Sequence, residues 1–378
     1  MASFDVIIIG AGAAGLMCAI TAGARGKRVL LIDHNSQAGA KILISGGGRC
    51  NFTNTGTAPQ NFLSENPHFC RSALSRYTPS DFLALMAKHS IAWHEKTLGQ
   101  LFCVGSARQV VAMLLAECAA SGVAVKLATK VTGIRKADGF TVETTDETHT
   151  APALVLATGG LSIPKMGATG FSYDVAKRFG LKVITPRPAL VPLKAKPEEL
   201  EFYKNLSGVS LPAIASCGST AFRESILFTH RGLSGPAILQ ISSHWREGQS
   251  ISLDLAPGID ALRFLKERKH ARPKAELKTI LAELLPQRLA QAMAPTDVTR
   301  LAILLKNWTM TPDGSEGFAK AEVTAGGIDT DQLSSKTMEA KAVSGLYAIG
   351  EAVDVTGWLG GYNFQWAWAS GWCAGQAV

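Results

Sequence analysis

Phe4-Asp5-Val6-Ile7-Ile8-Ile9-Gly10-Ala11-Gly12-Ala13-Ala14-Gly15 is the stretch whose reading decides the fold. Val6 to Ile9 are β-branched and continuous, the pattern of a strand buried on both faces of a parallel sheet. A glycine turn follows at once, with Gly10, Gly12 and Gly15 at G-x-G-x-x-G spacing where a helix opens. Val29 to Ile32 read as a second buried strand ending in Asp33, 18 residues beyond Gly15. In this order the elements describe a dinucleotide-binding fold. Gly10 permits the sharp turn, Gly12 lets the backbone approach a pyrophosphate, and Gly15 lets helix pack on strand. The helix start at Ala13 and Ala14 offers unpaired N–H donors to the anion, and Asp33 is placed to hold ribose hydroxyls.

The same stretch competes for another reading. Val6 to Ala24 is 19 residues without a charge, long enough to suggest a membrane span. Asp5 precedes it, no basic region leads into it, and glycines at 10, 12, 15 and 23 interrupt it, so a soluble cytoplasmic protein is expected. With 378 residues the chain is long enough for two or three packed units. Hydrophobic residues make up 47% and charged residues 18%, which excludes a disordered chain. The seven cysteines include no C-x-x-C pair, so neither a disulfide framework nor a zinc site is expected. No metal site is expected elsewhere.

No second G-x-G-x-x-G occurs, which argues against a resident second dinucleotide. The far end of the chain repeats the logic of the first: Gly345-Leu346-Tyr347-Ala348-Ile349-Gly350-Glu351 reads as a buried strand ending in an acid. A glycine-rich turn from Gly357 to Asn363 leads into a helix expected over Phe364 to Ala374. Its positive end would face the pyrimidine edge of a flavin and stabilise the reduced anion. Both chain ends are therefore expected to fold against one FAD, with Glu351 near a ribitol hydroxyl. Trp358, Trp366, Trp368 and Trp372 are spaced for burial against the sheet rather than for stacking on bases.

At this point the residues resemble the BaiN/RdsA family of NAD(P)/FAD-dependent oxidoreductases. Lys41 to Asn54 is similar to the family's K-x-x-x-S-G-x-G-R-C-N-x-T-N loop, and Ala157 to Pro164 to its A-T-G-G-x-S-x-P turn. Thr229 to Pro236 resembles T-H-x-G-x-S-G-P, Thr324 to Gly327 its T-x-G-G element, and Gly350-Glu351 through Gly360-Gly361-Tyr362-Asn363 its last motif. Two stretches depart from the pattern: Gly99-Gln100-Leu101-Phe102-Cys103 and Gly170-Phe171-Ser172-Tyr173. The resemblance implies cofactor contacts at Lys41, Ser45, Gly46, Gly48, Arg49, Cys50, Asn51, Ala157, Thr158, Gly159, Gly350, Glu351, Gly361, Tyr362 and Asn363. Val131 is grouped with them. It also implies a flavin hydride donor, with NADH or NADPH as transient electron source and a uracil in ribosomal RNA among the substrates of some members.

Arg49 follows a glycine triplet and is the candidate for stabilising negative charge on reduced flavin or substrate. His230 is the candidate proton donor. An amine or amino-ketone oxidase using O₂ and a non-catalytic flavin-bound scaffold are the competing readings.

The fold expected is α/β: a Rossmann-like FAD-binding domain over 1–187 and 341–378 with a parallel sheet. An inserted, mainly antiparallel β substrate domain is expected over 188–258 and 315–340, and a helical subdomain over 259–314. The formal net charge is +8, and Arg263 to Lys278 alone carries seven Lys/Arg against two Glu. That segment is a candidate RNA contact. The sequence leaves the substrate and the oligomeric state open.

Overall fold

In the computed structural model, which describes residues 2–293 and 297–378, the opening motif forms the centre of a five-stranded sheet. Its order is Leu346–Ala348, Ala153–Leu156, Val6–Ile9, Val29–Ile32 and Ala124–Lys126, and every pairing is parallel. All four residues of Val6–Ile9, Val29–Ile32 and Ala153–Leu156 are buried, as expected for strands covered on both faces. The stretch that hydropathy alone would draw as one apolar span is thus a strand, a turn and the helix Ala13–Ala24. No helix among the described residues is long and apolar enough to cross a membrane.

The first and last helices lie against each other. Ala13–Ala24 is rich in small residues, and Tyr362–Ala377 presents Gly371 and Gly375 to it. A Cβ on Gly371 would strike the carbonyl oxygen of Ala14, and one on Gly375 would come within 2.5 Å of Thr21 Cβ. The helices approach this closely because neither side carries a large side chain at the crossing. Two tryptophans of the last helix, Trp366 and Trp368, are core residues with satisfied indoles: Trp366 donates to Gly350 O at 3.0 Å and Trp368 to Phe52 O at 2.8 Å. Trp368 also stacks on Phe82, with ring centroids 4.4 Å apart.

The chain divides into two compact units, Met1–Arg187 with Val323–Val378 and Pro188–Glu322. This moves residues 323–340, assigned from sequence to the insert, into the nucleotide unit. The cause is the strand Val323–Ile328, which pairs with Val183–Ala189 and is buried along its whole length. In the second unit six antiparallel strands run in the order Leu193–Lys194, Gly232–Ser234, Thr220–Thr229, Ser210–Cys217, Ile251–Asp254 and Trp308–Met310.

The helices expected over 259–314 do not separate as a third unit. Val298–Lys306 packs on both the strand Ile251–Asp254 and the helix Ala261–Ala271. Residues 294–296, within that helical stretch, and residue 1 lie outside the described residues.

Much of the basic charge of Arg263 to Lys278 is answered internally. Arg263 pairs with Glu267, Arg268 and Arg272 both pair with Glu283, and Lys278 pairs with Glu276. Exposed pairs of this kind contribute little to stability, but they lower the field available to an anionic partner.

Candidate functional site

What each glycine faces distinguishes fold from cradle. Gly10 has φ +112°, and a Cβ there would run into the carbonyl oxygen of Ala157. A Cβ on Gly15 would strike the carbonyl oxygen of Gly10. Both therefore serve packing. Gly12 differs: its φ is −82° and a Cβ there would meet nothing within 4 Å. The space in front of it is open, and the helix it begins has no side-chain cap and no acid in its first turn. An uncapped helix start facing open space suits a pyrophosphate.

Asp33 borders the same loop. Its carboxylate accepts the N–H of Ala11 at 2.7 Å and of Asn35 at 2.8 Å. Its carbonyl accepts Thr129 N at 3.0 Å, and the chain then runs into the buried Val131. Gly159, at φ +74°, also faces open space, and Thr158 is held by a 2.7 Å bond to Ser172. These residues fit a dinucleotide.

Motifs far apart in sequence converge on one carboxylate. Glu351 accepts Lys41 Nζ at 2.7 Å on one oxygen, and Ser162 Oγ at 2.8 Å and Thr324 N at 2.9 Å on the other. Lys41 also donates to Ser162 at 2.6 Å, and Thr324 Oγ1 accepts the N–H groups of Leu161 and Ser162 at 2.8 and 3.0 Å. An ionised carboxylate has about four acceptor positions, and three are used here. One remains for a ligand hydroxyl.

Glu351→Gln replaces a charge-assisted acceptor beside Lys41, so we expect a loss of about 1–3 kcal/mol. Thermal melting should fall and FAD should be released more readily; an unchanged melting point would remove the network from the stability of the site.

Several residues grouped with the cofactor from sequence, and Asn54 in the same loop, make hydrogen bonds that hold the loops. The amide of Asn51 bridges Leu101 O at 3.1 Å and Gly361 N at 3.2 Å. Asn363 bonds Gly357 N and O and Trp358 O, which staples its own turn. Asn54 ties Gly360 O and Leu98 O together. Ser45 Oγ donates to Ile42 O at 2.8 Å. Cys50 is fully buried, and burial pushes its thiol up to about 12, so it stays protonated. Tyr362 is buried with its ring edge-on to Phe62.

Gly361 has φ +96°, and a Cβ there would strike Thr53 O, so this turn closes directly on the loop of Lys41 to Asn54. Gly350 similarly lies over Ala14, whose Cβ is 2.8 Å from where a Cβ would stand. In that loop Gly46, Gly47 and Gly48 are all left-handed, at φ +56°, +66° and +83°, and the space at Gly47 is open. Three successive side chains could not hold that backbone.

The guanidinium of Arg49 is exposed and has no partner among the described residues. His230 belongs to the second unit, at the tip of the hairpin that joins Thr220–Thr229 to Gly232–Ser234. Its imidazole is exposed, beside a cavity of about 480 Å³ that Arg231, Lys320 and Phe228 also line.

The model of the HI0933-like protein Rossmann domain matches residues 4–377. The chain belongs to the HI0933-like family. It is 50% identical to the ribosomal RNA dihydrouridine synthase of Escherichia coli, covering 100% of this chain and 98% of the relative. It is 30% identical to the 3-dehydro-bile acid delta(4,6)-reductase of Clostridium scindens, covering 98% of each. Among solved structures, a 3-ketosteroid-delta4-(5alpha)-dehydrogenase from Rhodococcus jostii aligns over 99% of this chain and 97% of that one at 13% identity, TM-score 0.54, a likeness of fold.

This HI0933-like chain is an FAD-dependent oxidoreductase. Ser162 and Thr324, which organise Glu351, were missed as site residues from sequence. Both stand in the A-T-G-G-x-S and T-x-G-G stretches, which was the signal available.

Proposed function

We propose that this protein reduces the C=C bond of a uracil in ribosomal RNA, with NADH or NADPH as electron donor. The observation that carries the reading is half identity, along the whole chain, to a relative named for that reaction. Bound FAD supplies hydride transfer to an electron-poor C=C bond.

The chain's own residues supply the rest. Gly12 and the helix start at Ala13 hold the pyrophosphate, and Asp33 takes the ribose hydroxyls. Glu351, fixed by Lys41, Ser162 and Thr324, takes a ribitol hydroxyl. Arg49 holds negative charge as it develops, and an acid or a water gives the second carbon its proton. An RNA substrate puts the protein in the cytoplasm, where ribosomes are made.

Arg49→Ala is expected to slow substrate reduction by about a hundredfold or more, in line with loss of one charge-stabilising donor, while FAD stays bound. Stopped-flow photometry under anaerobic conditions with NADH, NADPH and an amine panel tests the direction of electron flow. Bleaching by an amine and by neither nucleotide would overturn the reductase reading in favour of an oxidase. Mass spectrometry of ribosomal RNA from cells lacking the gene tests the substrate: one dihydrouridine should disappear, and an unchanged profile would sink that part.

A further inference from the structure

The stretch that departs from the family pattern, Gly99 to Cys103, forms the central strand of a small antiparallel sheet. Gln100–Cys103 lies between Asn51–Asn54 and the edge strand Trp93–Glu95. Side chains alternate along a strand, so Gln100, Phe102 and Val104 share one face, and His94, opposite Phe102, shares it with Lys96. The His94 ring stacks on Phe102 with centroids 6.0 Å apart and planes 23° apart, and Lys96 Nζ stands 5.6 Å from the centre of the same ring.

This face is bordered on both sides by glycines of the flavin elements. A Cβ on Gly46 would lie 2.8 Å from the Phe102 ring, and one on Gly360 would lie 2.9 Å from Gln100. Next to it Val104 and Ile44 are 57% and 45% exposed. The nearby cations Lys96 and Arg49 are exposed and form no ion pair among the described residues. The one carboxylate of the three strands, Glu95, alternates to the other face and accepts Gly99 N at 3.2 Å.

A half-buried imidazole seated on a buried aromatic ring, with the exposed ammonium of Lys96 over the same ring and apolar side chains beside it, matches a single nucleic-acid strand. Bases stack on the ring and phosphates meet the cations. We propose that this face holds the unpaired nucleotides next to the reacting base of an RNA substrate, His94 by stacking and Lys96 by a phosphate contact. The proposal rests on the RNA reading above and names the surface that would serve it.

The test uses FAD-loaded protein and a short fluorescein-labelled oligouridylate followed by anisotropy. His94→Ala should weaken binding about tenfold, His94→Phe should restore it, and Lys96→Ala should weaken it and lower the salt slope by about one. Visible flavin absorbance and anaerobic reduction by NAD(P)H should be the same in all three variants as in the parent.

Wild-type affinity in His94→Ala, or no binding of the oligouridylate by the parent protein, overturns the proposal. A fall in sedimenting mass in His94→Ala with no change in RNA affinity also overturns it, giving the face to a second copy of the chain. Incubation with ribosomal RNA from cells lacking the gene separates the two readings. Dihydrouridine formed equally by parent and His94→Ala leaves the function standing without this face. No dihydrouridine from the parent, with the oligouridylate result intact, sinks the substrate and keeps the RNA surface.

Discussion

Gly12→Val should purify as folded, colourless protein. The Cβ of residue 12 meets no atom within 4 Å and its φ is −82°, so a side chain there neither clashes nor strains the backbone. Gly12 is the helix N-cap, where Val is less favourable than Gly, so the substitution costs about 1 kcal/mol and leaves the fold intact. The open space is, however, where the proposed site brings the pyrophosphate to the helix start. Losing two charge-assisted hydrogen bonds there, at about 1.5 kcal/mol or more each, lowers FAD affinity by a hundredfold or more.

Isothermal titration with FAD, beside circular dichroism, reads both halves of the result. Gly15→Val is the contrast, because its Cβ would strike Gly10 O and the strand–helix junction would have to open. A folded Gly12→Val protein with full flavin occupancy would move the cofactor away from this loop.

The second large effect is expected at Gly371. Replacing a helix-interior glycine by alanine normally stabilises by about 1 kcal/mol. Here the sign should reverse. The added Cβ would strike the Ala14 carbonyl oxygen, a backbone atom of the opposing helix that cannot rotate away, and would lie 3.1 Å from Met17 Cβ. Overpacking costs about 1–3 kcal/mol even where side chains can adjust, so Gly371→Ala should melt lower than the parent. Gly371→Val should exceed that range and separate the two ends of the chain. Thermal unfolding followed by circular dichroism checks the order parent, Ala, Val; a Val variant as stable as the parent would mean the helices do not approach this closely.

These two glycines show why the sequence was informative in some places and silent in others. Gly12 sits in a pattern of fixed local spacing, and local spacing is what periodicity and turn chemistry report. Gly371 sits in Ala369-Ser370-Gly371-Trp372, where nothing local says that another helix lies a backbone's width away. Asn51 and Asn363 were readable from sequence as cofactor contacts, but the bonds by which Asn51, Asn54 and Asn363 tie their loops together, to other segments or to their own turn, were not.

The strand Val323–Ile328 was placed with the insert because its neighbours in sequence lie there, whereas its hydrogen bonds and its contact with Glu351 belong to the nucleotide unit. The charge run Arg263 to Lys278 was legible as a run, but Glu283, which answers two of its arginines, lies beyond it.

What the amino-acid order determined by itself is the pair of strand–turn–helix ends, their glycines and their terminal acids, because each depends on backbone geometry within a few residues. The tertiary structure alone decided that Lys41, Ser162, Thr324 and Glu351 form one network and that His94 rests on Phe102 beside the glycine triplet. A hydrogen bond or a ring stack between residues far apart in the chain is set by which segments share a sheet edge or a helix crossing, and that choice minimises the free energy of the whole unit rather than of any one stretch.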